Sequence, residues 1–401
     1  MTQEDIRAQF PQLRRLVYGK PLVYLDNAAT SLRPQSVIDR WTEISSEATA
    51  NLHRAVHRVA TEATEAYEAA RDAVKGFINA AEREEVVFTS GATHALNLAA
   101  FGIGEAFLNE ADEIIVGESE HHSNLVPWQM LCGRKSVTIK VLPVDENGRL
   151  CVEALEGLIS ARTRLVCIAH ISNVLGLVNP VREVADVCRK HGVMLLVDGA
   201  QGVVHQPVDV QALGCDFYAF SGHKMYGAPG TGVLWGRREL LEQMSPMFGG
   251  GEMIETVRWS GSTWAPLPQK FEAGTQNISG TPCFVQAIET MKAMPQNDEV
   301  RDYVYDTLLA EPGVRLFGVA SDRSLKAPVF SFTVEGAHHE DLALIMDKMG
   351  VALRSGQMCA EPLMDRFVVT GMLRASFAPY NTMQEAEYFV TSLRKAIRML
   401  K

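Results

Sequence analysis

Seven short apolar segments, separated by helical patterns, constrain the fold of this 401-residue chain more than any other feature. The β-rich segments read EVVFTS, DEIIVGES, VTIKVLPV, TRLVCIAHIS, VMLLVDGA, FYAFSG and GVLWG. Amphipathic stretches lie between several of them, such as PVREVADVCRKHG, in which a glycine ends the helical pattern. This alternation predicts an α/β fold with a mostly parallel seven-stranded sheet and helices on both of its faces.

The sequence pattern changes at about Cys283. Segments such as APVFSFTVEG and HEDLALIMDKMG, followed by the final helix MQEAEYFVTSLRKAIRML, predict a smaller α+β unit. We therefore expect a large domain over residues 26–282 and a small C-terminal domain over residues 283–401. Residues 1–25 are expected to form an N-terminal segment that packs on the small domain.

Composition excludes several classes of protein. The net charge is −10 and there are no basic blocks, which argues against binding to nucleic acid or to an anionic membrane surface. No apolar run approaches the ~18–20 residues of a membrane span, and the polar N-terminus does not resemble a signal peptide. The seven cysteines have no metal-type spacing. We expect a reduced, cytoplasmic protein without a metal site.

The chemically active residues follow the ends of the predicted strands. In a parallel sheet the carboxyl ends of the strands form the rim where ligands bind. Five strand ends contribute to this rim, with Gly91, Ala92 and Thr93; His121 and His122; Asn173; Asp198 and Gln201; and Ser221, His223 and Lys224. Each residue alone has an ordinary explanation, such as a helix cap for Asp198 or a surface position for Lys224. Their convergence on one rim favours a binding site.

The chemistry of this set suits pyridoxal 5'-phosphate (PLP). A lysine in a partly desolvated pocket can form a Schiff base with an aldehyde, and a carboxylate can keep a pyridine nitrogen protonated. The segment SGAT at a helix start offers backbone N–H groups to a phosphate. NAD is the obvious competitor, but no G-x-G-x-x-G follows an early strand, and GAPGTG leads into another strand rather than a helix.

Several motifs, in order along the chain, resemble the class V aminotransferase family of fold-type-I PLP enzymes. The motifs are VDGAQG, YAFSGHKMYG, FEAGTQN and LRASFAPYNT, and the likeness extends from VYLDNAAT to the last helix. Within this family the chain is most similar to cysteine desulfurases of the SufS/CsdA group. The resemblance implies conversion of L-cysteine to L-alanine, with the sulfur passed to an acceptor for Fe–S cluster assembly.

The resemblance also implies a role for each site residue. Lys224 would hold PLP and move protons, Asp198 would pair with the pyridine nitrogen, and Gln201 would reach the phenolic oxygen. His121 would stack on the ring and act as an acid–base group, and Asn173 would contact cofactor or substrate. The implied phosphate ligands are Thr93, Ser221, His223 and, from the second subunit of a homodimer, Thr275. Arg374 would bind the substrate carboxylate through its planar guanidinium.

The nucleophile implied by the resemblance is Cys359, in the segment ALRSGQMCAEPLM of the small domain. It would take up sulfur as a persulfide and pass it to an acceptor of the SufE or SufU kind, and Arg354 would help to fix the loop. Relatives often carry a histidine where this chain has Met358, which leaves the activation of the thiol open. The segment MKAMPQNDEVRDYVYDTLLAEPG also looks shorter than in the relatives, which predicts a trimmed helix.

Other hypotheses about the function stay open at this stage. Selenocysteine lyase, or another class V PLP lyase, would use the same scaffold, with Cys359 as the residue that separates them. A catalytically inert scaffold protein is a third hypothesis, although the intact set of Lys224, Asp198 and Arg374 argues against it. His53 and His57 have helical spacing but lack a third metal ligand, and His338 and His339 are expected to cap a helix.

Overall fold

The computed structural model describes residues 2–401. The strands are β1 (Leu16–Val17), β2 (Lys20–Pro21), β3 (Val23–Tyr24), β4 (Val86–Thr89), β5 (Glu113–Gly117), β6 (Thr138–Leu142), β7 (Thr163–Ala169), β8 (Met194–Asp198), β9 (Phe217–Ser221), β10 (Gly232–Gly236), β11 (Ile254–Arg258), β12 (Gly261–Trp264), β13 (Val314–Phe317), β14 (Val329–Val334), β15 (Val351–Ala352), β16 (Arg354–Gly356) and β17 (Met372–Ser376).

Helices connect most of these strands. They are α1 (Gln3–Ala8), α2 (Gln35–Glu47), α3 (Arg58–Ile78), α4 (Ala92–Phe107), α5 (Val126–Lys135), α6 (Leu155–Leu158), α7 (Val181–His191), α8 (Gly202–His205), α9 (Val210–Leu213), α10 (Arg238–Gln243), α11 (Phe284–Ala293), α12 (Asp298–Ala310), α13 (His339–Lys348), α14 (Glu361–Phe367) and α15 (Met383–Leu400). No helix within residues 2–401 is long and apolar enough to cross a membrane.

The central sheet has seven strands in the order β4-β10-β9-β8-β7-β5-β6. Every pair from β9 to β6 is parallel, whereas β10 is antiparallel to both of its neighbours. All seven strands were predicted from the sequence, and the mostly parallel α/β sheet is confirmed.

Helices cover both faces of this sheet. Successive strand residues point to opposite sides, and apolar side chains on both sides must be buried. In β7, Val166 and Ile168 belong to a core that includes side chains of α3 and α7. Leu165 and Cys167 of the same strand belong to a second core with side chains of α4 and α5. The sheet is therefore buried on both faces, and its strand ends are the accessible edge.

A four-stranded antiparallel sheet, β13-β14-β17-β16, forms the centre of a smaller unit. Its core includes side chains of α12, α13 and α15. Helix α11, which begins at the predicted boundary, places Phe284 and Ile288 in the core of the large sheet instead. The N-terminal segment contacts the small unit, since β3 pairs with β15 and Arg7 forms an ion pair with Glu385 at 2.9 Å. The division into domains stays a prediction.

Candidate active site

A cavity of about 210 Å³ lies at the carboxyl ends of the central strands. Asp198 and Ser221 are the last residues of β8 and β9, and α4 starts three residues after the end of β4. The sequence-predicted residues that line this cavity are Ala92, Thr93, His121, Asn173, Asp198, Gln201, Ser221, His223, Lys224, Arg354, Met358, Cys359 and Arg374. The structure thus brings together residues that lie far apart along the chain, from Ala92 to Arg374.

Lys224 and Asp198 form the charged centre of the cavity. Burial lowers the pKa of the Lys224 amine, although the Asp198 carboxylate opposes this shift. Burial raises the pKa of Asp198, opposed by the charge of Lys224 and by the backbone N–H of Ala200, which donates to its Oδ1 at 2.9 Å. A lysine in this environment is more easily deprotonated than a surface lysine and is available for covalent chemistry.

The first turn of α4 forms one end of the cavity. Ser221 Oγ accepts a hydrogen bond from the backbone N–H of Ala92 at 2.7 Å, which fixes the serine against the helix start. Thr93 lies in the same turn. Burial lowers the pKa of His223 to about 4, so its imidazole is neutral near pH 7. Hydroxyl groups, a ring N–H and a helix N-terminus together can bind a phosphate group.

His121 is held in a defined orientation by its neighbour Ser123. The Nδ1 atom accepts the Ser123 backbone N–H at 3.1 Å and lies 2.7 Å from the Ser123 hydroxyl, so a neutral ring carries its proton on Nε2. Burial, followed by the charge of Lys224, lowers the pKa of His121 to about 3. The ring is therefore neutral over the physiological pH range.

Arg374 lies on β17 and is almost fully buried. Its Nη2 donates to Asp26 Oδ1 at 3.2 Å, and its Nη1 donates to the Asn173 carbonyl at 2.9 Å. Its Nε has no hydrogen-bond partner within residues 2–401. A buried guanidinium with an unused donor is suited to bind an anionic ligand group.

Gln201 and Asn173 make backbone contacts through their amide groups. Gln201 Nε2 donates to the Ala28 carbonyl at 2.8 Å. Asn173 Nδ2 donates to the Met358 carbonyl at 2.8 Å, so Asn173 connects the large sheet to the segment that carries Cys359.

Cys359 is the exposed one among the seven free cysteines, all of which lie in the described part of the chain. It follows β16 and precedes α14. Met358, where the resemblance led us to expect a histidine, is buried in the large core. The apolar side chain at this position therefore anchors the loop, while Cys359 itself lines the cavity.

Thr275 lies outside this cavity. It is exposed and lines a neighbouring cavity of about 780 Å³, whose wall also includes Thr93 and the exposed Phe248. Its role at the phosphate site of a second subunit stays a prediction.

The remaining histidines have local roles. His53 Nε2 lies 3.1 Å from Glu68 Oε1, and His57 accepts the Ala60 backbone N–H at the start of α3. His338 caps α13 by accepting the Glu340 backbone N–H. Across residues 2–401, no group of three His, Cys, Asp or Glu side chains could hold a metal ion.

Two acidic residues near the site were missed by the sequence analysis. Asp26 pairs with Arg374, and Glu120 is fully buried beside His121, where burial raises the pKa of its carboxyl to about 8. Glu120 belongs to ESEHHSN, so a search for acids at strand ends could have found it. Asp26 lies 348 residues from Arg374, and no local pattern indicates their contact.

The cavity, the parallel sheet and the buried lysine define the class of protein. A family model described as "Aminotransferase class-V" matches residues 23–389, and the chain belongs to this family. A probable cysteine desulfurase of Vibrio cholerae is 41% identical over 403 residues, which cover 99% of both chains. A cysteine desulfurase of Klebsiella pneumoniae (strain 342) is 43% identical over 404 residues, covering 99% of this chain and 98% of the relative.

Solved structures are also similar. The cysteine desulfurase CsdA (S-sulfonic acid) from Escherichia coli superposes with a TM-score of 0.91 and 38% identity, covering 100% of both chains. The apo cysteine desulfurase from Thermococcus onnurineus NA1 gives a TM-score of 0.93 and 35% identity, covering 99% of this chain and 98% of that one. The resemblance predicted from the motifs is confirmed.

Proposed function

We propose that this chain is a PLP-dependent cysteine desulfurase that converts L-cysteine to L-alanine and takes up the sulfur on Cys359. One observation carries the proposal: an exposed thiol lines the same cavity as a buried lysine and a buried arginine. Lys224 supplies the amine and Arg374 the carboxylate-binding group. The identity of the relatives over their full length supports the same activity.

The residues of the cavity fit PLP. Asp198 offers a buried carboxylate for a pyridine nitrogen, and the first turn of α4 with Ser221 offers donors for a phosphate. When bound, PLP supplies an electron sink that withdraws electrons from the substrate's carbon atoms. Thr93 and His223 would bind its phosphate, Gln201 its phenolic oxygen, and the His121 ring its face.

Two residues of this chain would then act on the substrate before the thiol does. Lys224 would hold the cofactor covalently and afterwards move protons to and from the substrate's Cα, which the lowered pKa of its amine favours. Arg374 would bind the substrate carboxylate, while Asp26 and Asn173 keep its guanidinium in place.

Sulfur transfer requires a thiolate at Cys359. The thiolate attacks the sulfur of the substrate, a new S–S bond forms, and the substrate's C–S bond breaks. The electron pair of that bond stays on carbon, which takes up a proton and becomes the methyl group of alanine. Carbon is reduced as sulfur is oxidised, so no external oxidant is needed.

The oligomeric state, the sulfur acceptor and the cellular location belong to the same proposal. We infer a homodimer in which Thr275 reaches the partner's phosphate site, because it lies on the wall of the neighbouring cavity beside exposed apolar surface. A SufE- or SufU-type acceptor would take sulfur from the exposed thiol for Fe–S cluster assembly. Seven free cysteines support a reducing, cytoplasmic location.

Mass spectrometry of the holoenzyme after exposure to L-cysteine tests the function. We expect the mass of a sulfur atom to be added to the peptide that contains Cys359, and none after Cys359→Ala. The matched control is Cys151→Ala, which removes a half-buried cysteine away from the cavity and should keep the modification.

Release of sulfide from cysteine by Cys359→Ala at the wild-type rate would contradict the mechanism. If Cys359→Ala lost activity on cysteine but kept it on selenocysteine, the chain would also be a selenocysteine lyase, the alternative that shares this site.

A further inference from the structure

His122 makes two hydrogen bonds to the nucleophile segment, residues 358–361, one at Cys359 and one at Glu361. The backbone N–H of His122 donates to the Cys359 carbonyl at 2.7 Å. Its Nε2 accepts the backbone N–H of Glu361 at 3.1 Å. Together with the bond from Asn173 to the Met358 carbonyl, these contacts hold three of the segment's backbone groups from the large sheet.

The segment needs such contacts because its backbone is strained. Met358 and Cys359 have φ values of 55° and 56°, in the left-handed region that side chains disfavour. Such a conformation costs roughly 1–2 kcal/mol per residue and persists only where surrounding structure holds it. Two consecutive residues of this kind, next to the reacting thiol, indicate that the position of Cys359 is imposed on the chain.

The Met358 side chain cannot fix the nucleophile segment through hydrogen bonds. Its side chain is apolar and buried in the large core, so it fixes the segment before the thiol. After the thiol, the contacts to Cys359 and Glu361 come from His122. The ring accepts through Nε2, so its neutral form carries the proton on Nδ1, which is the opposite tautomer from His121.

We propose that His122 is a positioning residue for the nucleophile: its imidazole, acting as a backbone hydrogen-bond acceptor, fixes the thiol of Cys359 at the mouth of the cavity. This inference rests on the proposed function, since it concerns sulfur uptake by that thiol. His122 itself does not line the cavity and acts through the backbone.

The test compares single-turnover persulfide formation in the holoenzyme variants His122→Leu and His122→Gln. Leucine removes the acceptor, whereas the glutamine carbonyl can replace it. We expect His122→Leu to slow persulfide formation about 10- to 100-fold, as misplacement of a reacting group by about 1 Å does. The KM for L-cysteine and the bound cofactor's absorption should change less than about twofold, and His122→Gln should restore most of the rate.

A second pair of variants tests the same hydrogen bond from the side of its donor, the Glu361 backbone N–H. Glu361→Pro deletes the N–H that donates to His122 at the first position of α14, where proline is tolerated. It should slow persulfide formation as His122→Leu does. Glu361→Gln keeps the N–H and loses only the carboxylate, whose Oε2 lies 3.9 Å from His122 Nε2, and it should keep the wild-type rate. His338→Leu, which removes a distant helix cap of the same kind, is the control for stability.

Alkylation of Cys359 by iodoacetamide in the cofactor-free protein gives a readout that needs no turnover. We expect its rate to change at least about threefold in His122→Leu and Glu361→Pro, and to stay near wild type in His122→Gln and Glu361→Gln. Equal persulfide and alkylation rates in His122→Leu and wild type would overturn the proposal, as would failure of His122→Gln to restore the rate. If wild type formed no persulfide, the proposed function would fail, while the alkylation rates would still test His122.

Discussion

At the residue scale, a buried ion pair supports the segment that carries Thr275. Arg71 is completely buried, and its Nη1 lies 2.7 Å from Glu272 Oε1. Glu272 also accepts the Phe88 backbone N–H at 2.7 Å, and Arg71 also donates to the Glu68 carboxylate and to the Val86 carbonyl. Burial of two charges costs several kcal/mol per ion, which the pair recovers only while it is complete.

Arg71→Met should therefore lower the free energy of unfolding by about 3–5 kcal/mol, because the carboxylate of Glu272 is left buried without its cation. Urea denaturation measures this loss. The control is Arg83→Met, which breaks an exposed ion pair with Asp72 and should cost at most about 1 kcal/mol. Similar losses of unfolding free energy in the two variants would mean that the buried ion pair stabilises the protein no more than the exposed one.

At the element scale, two glycines allow β10 to approach the start of α4. A Cβ added at Gly232 would lie 2.4 Å from the Cα of Gly91, which is closer than real Cβ contacts occur. Gly91 has a φ of 152°, and the next residue begins the helix turn that carries Thr93. The close approach therefore sets the geometry of the predicted phosphate site.

Gly232→Ala should displace the first turn of α4 and weaken PLP binding, because the added methyl group meets backbone that cannot rotate away. PLP retention during dialysis, followed by absorbance, measures the effect. Gly133→Ala in α5 is the matched control: its Cβ meets nothing within 4 Å, and it should stabilise the helix by about 0.5–1 kcal/mol. Normal PLP retention by Gly232→Ala would contradict this account.

At the scale of the whole molecule, hydrogen bonds between two chain segments join the seven-stranded sheet to the four-stranded sheet. One segment, residues 175–178, follows β7, and the other, residues 325–327, precedes β14. The Val178 N–H donates to the Leu325 carbonyl at 2.9 Å, and the Ala327 N–H donates to the Gly176 carbonyl at 2.8 Å. Lys326 lies between them, buried, and donates to the Leu175 carbonyl. Burial lowers the pKa of this lysine to about 7.

This pKa predicts a pH dependence of stability. The folded-state pKa lies below the ordinary value, so the native state opposes protonation of Lys326. The penalty is present in full below about pH 7 and fades as the pH rises toward about 10, where the unfolded chain also loses its proton. Wild type should gain stability relative to Lys326→Met across this range, by up to about 1.4 kcal/mol per pH unit.

Denaturation of both proteins at several pH values measures the difference. Lys326→Met also leaves the Leu175 carbonyl without its donor, but that loss does not change with pH. A difference between the two proteins that is constant from about pH 7 to pH 10 would contradict the prediction.

Much of the fold followed from local pattern. The seven strands were recognisable because each combines an apolar run with a clear end, and residues such as Asp198 and Lys224 were found because they follow those ends. The antiparallel direction of β10 was not recognisable, since a short apolar run such as GVLWG suits a parallel or an antiparallel strand equally well. The attachment of α11 to the large core was also hidden, because its apolar side chains could serve either unit.

The sequence by itself determined the alternation of strands and helices, and the motifs that placed the chain in its family, because both depend on neighbouring residues. Only the tertiary structure decided the contacts of Arg374 with Asp26, of Arg71 with Glu272 and of His122 with the nucleophile segment. These pairs are up to 348 residues apart along the chain. Their geometry depends on how sheets and loops pack, which no local pattern records.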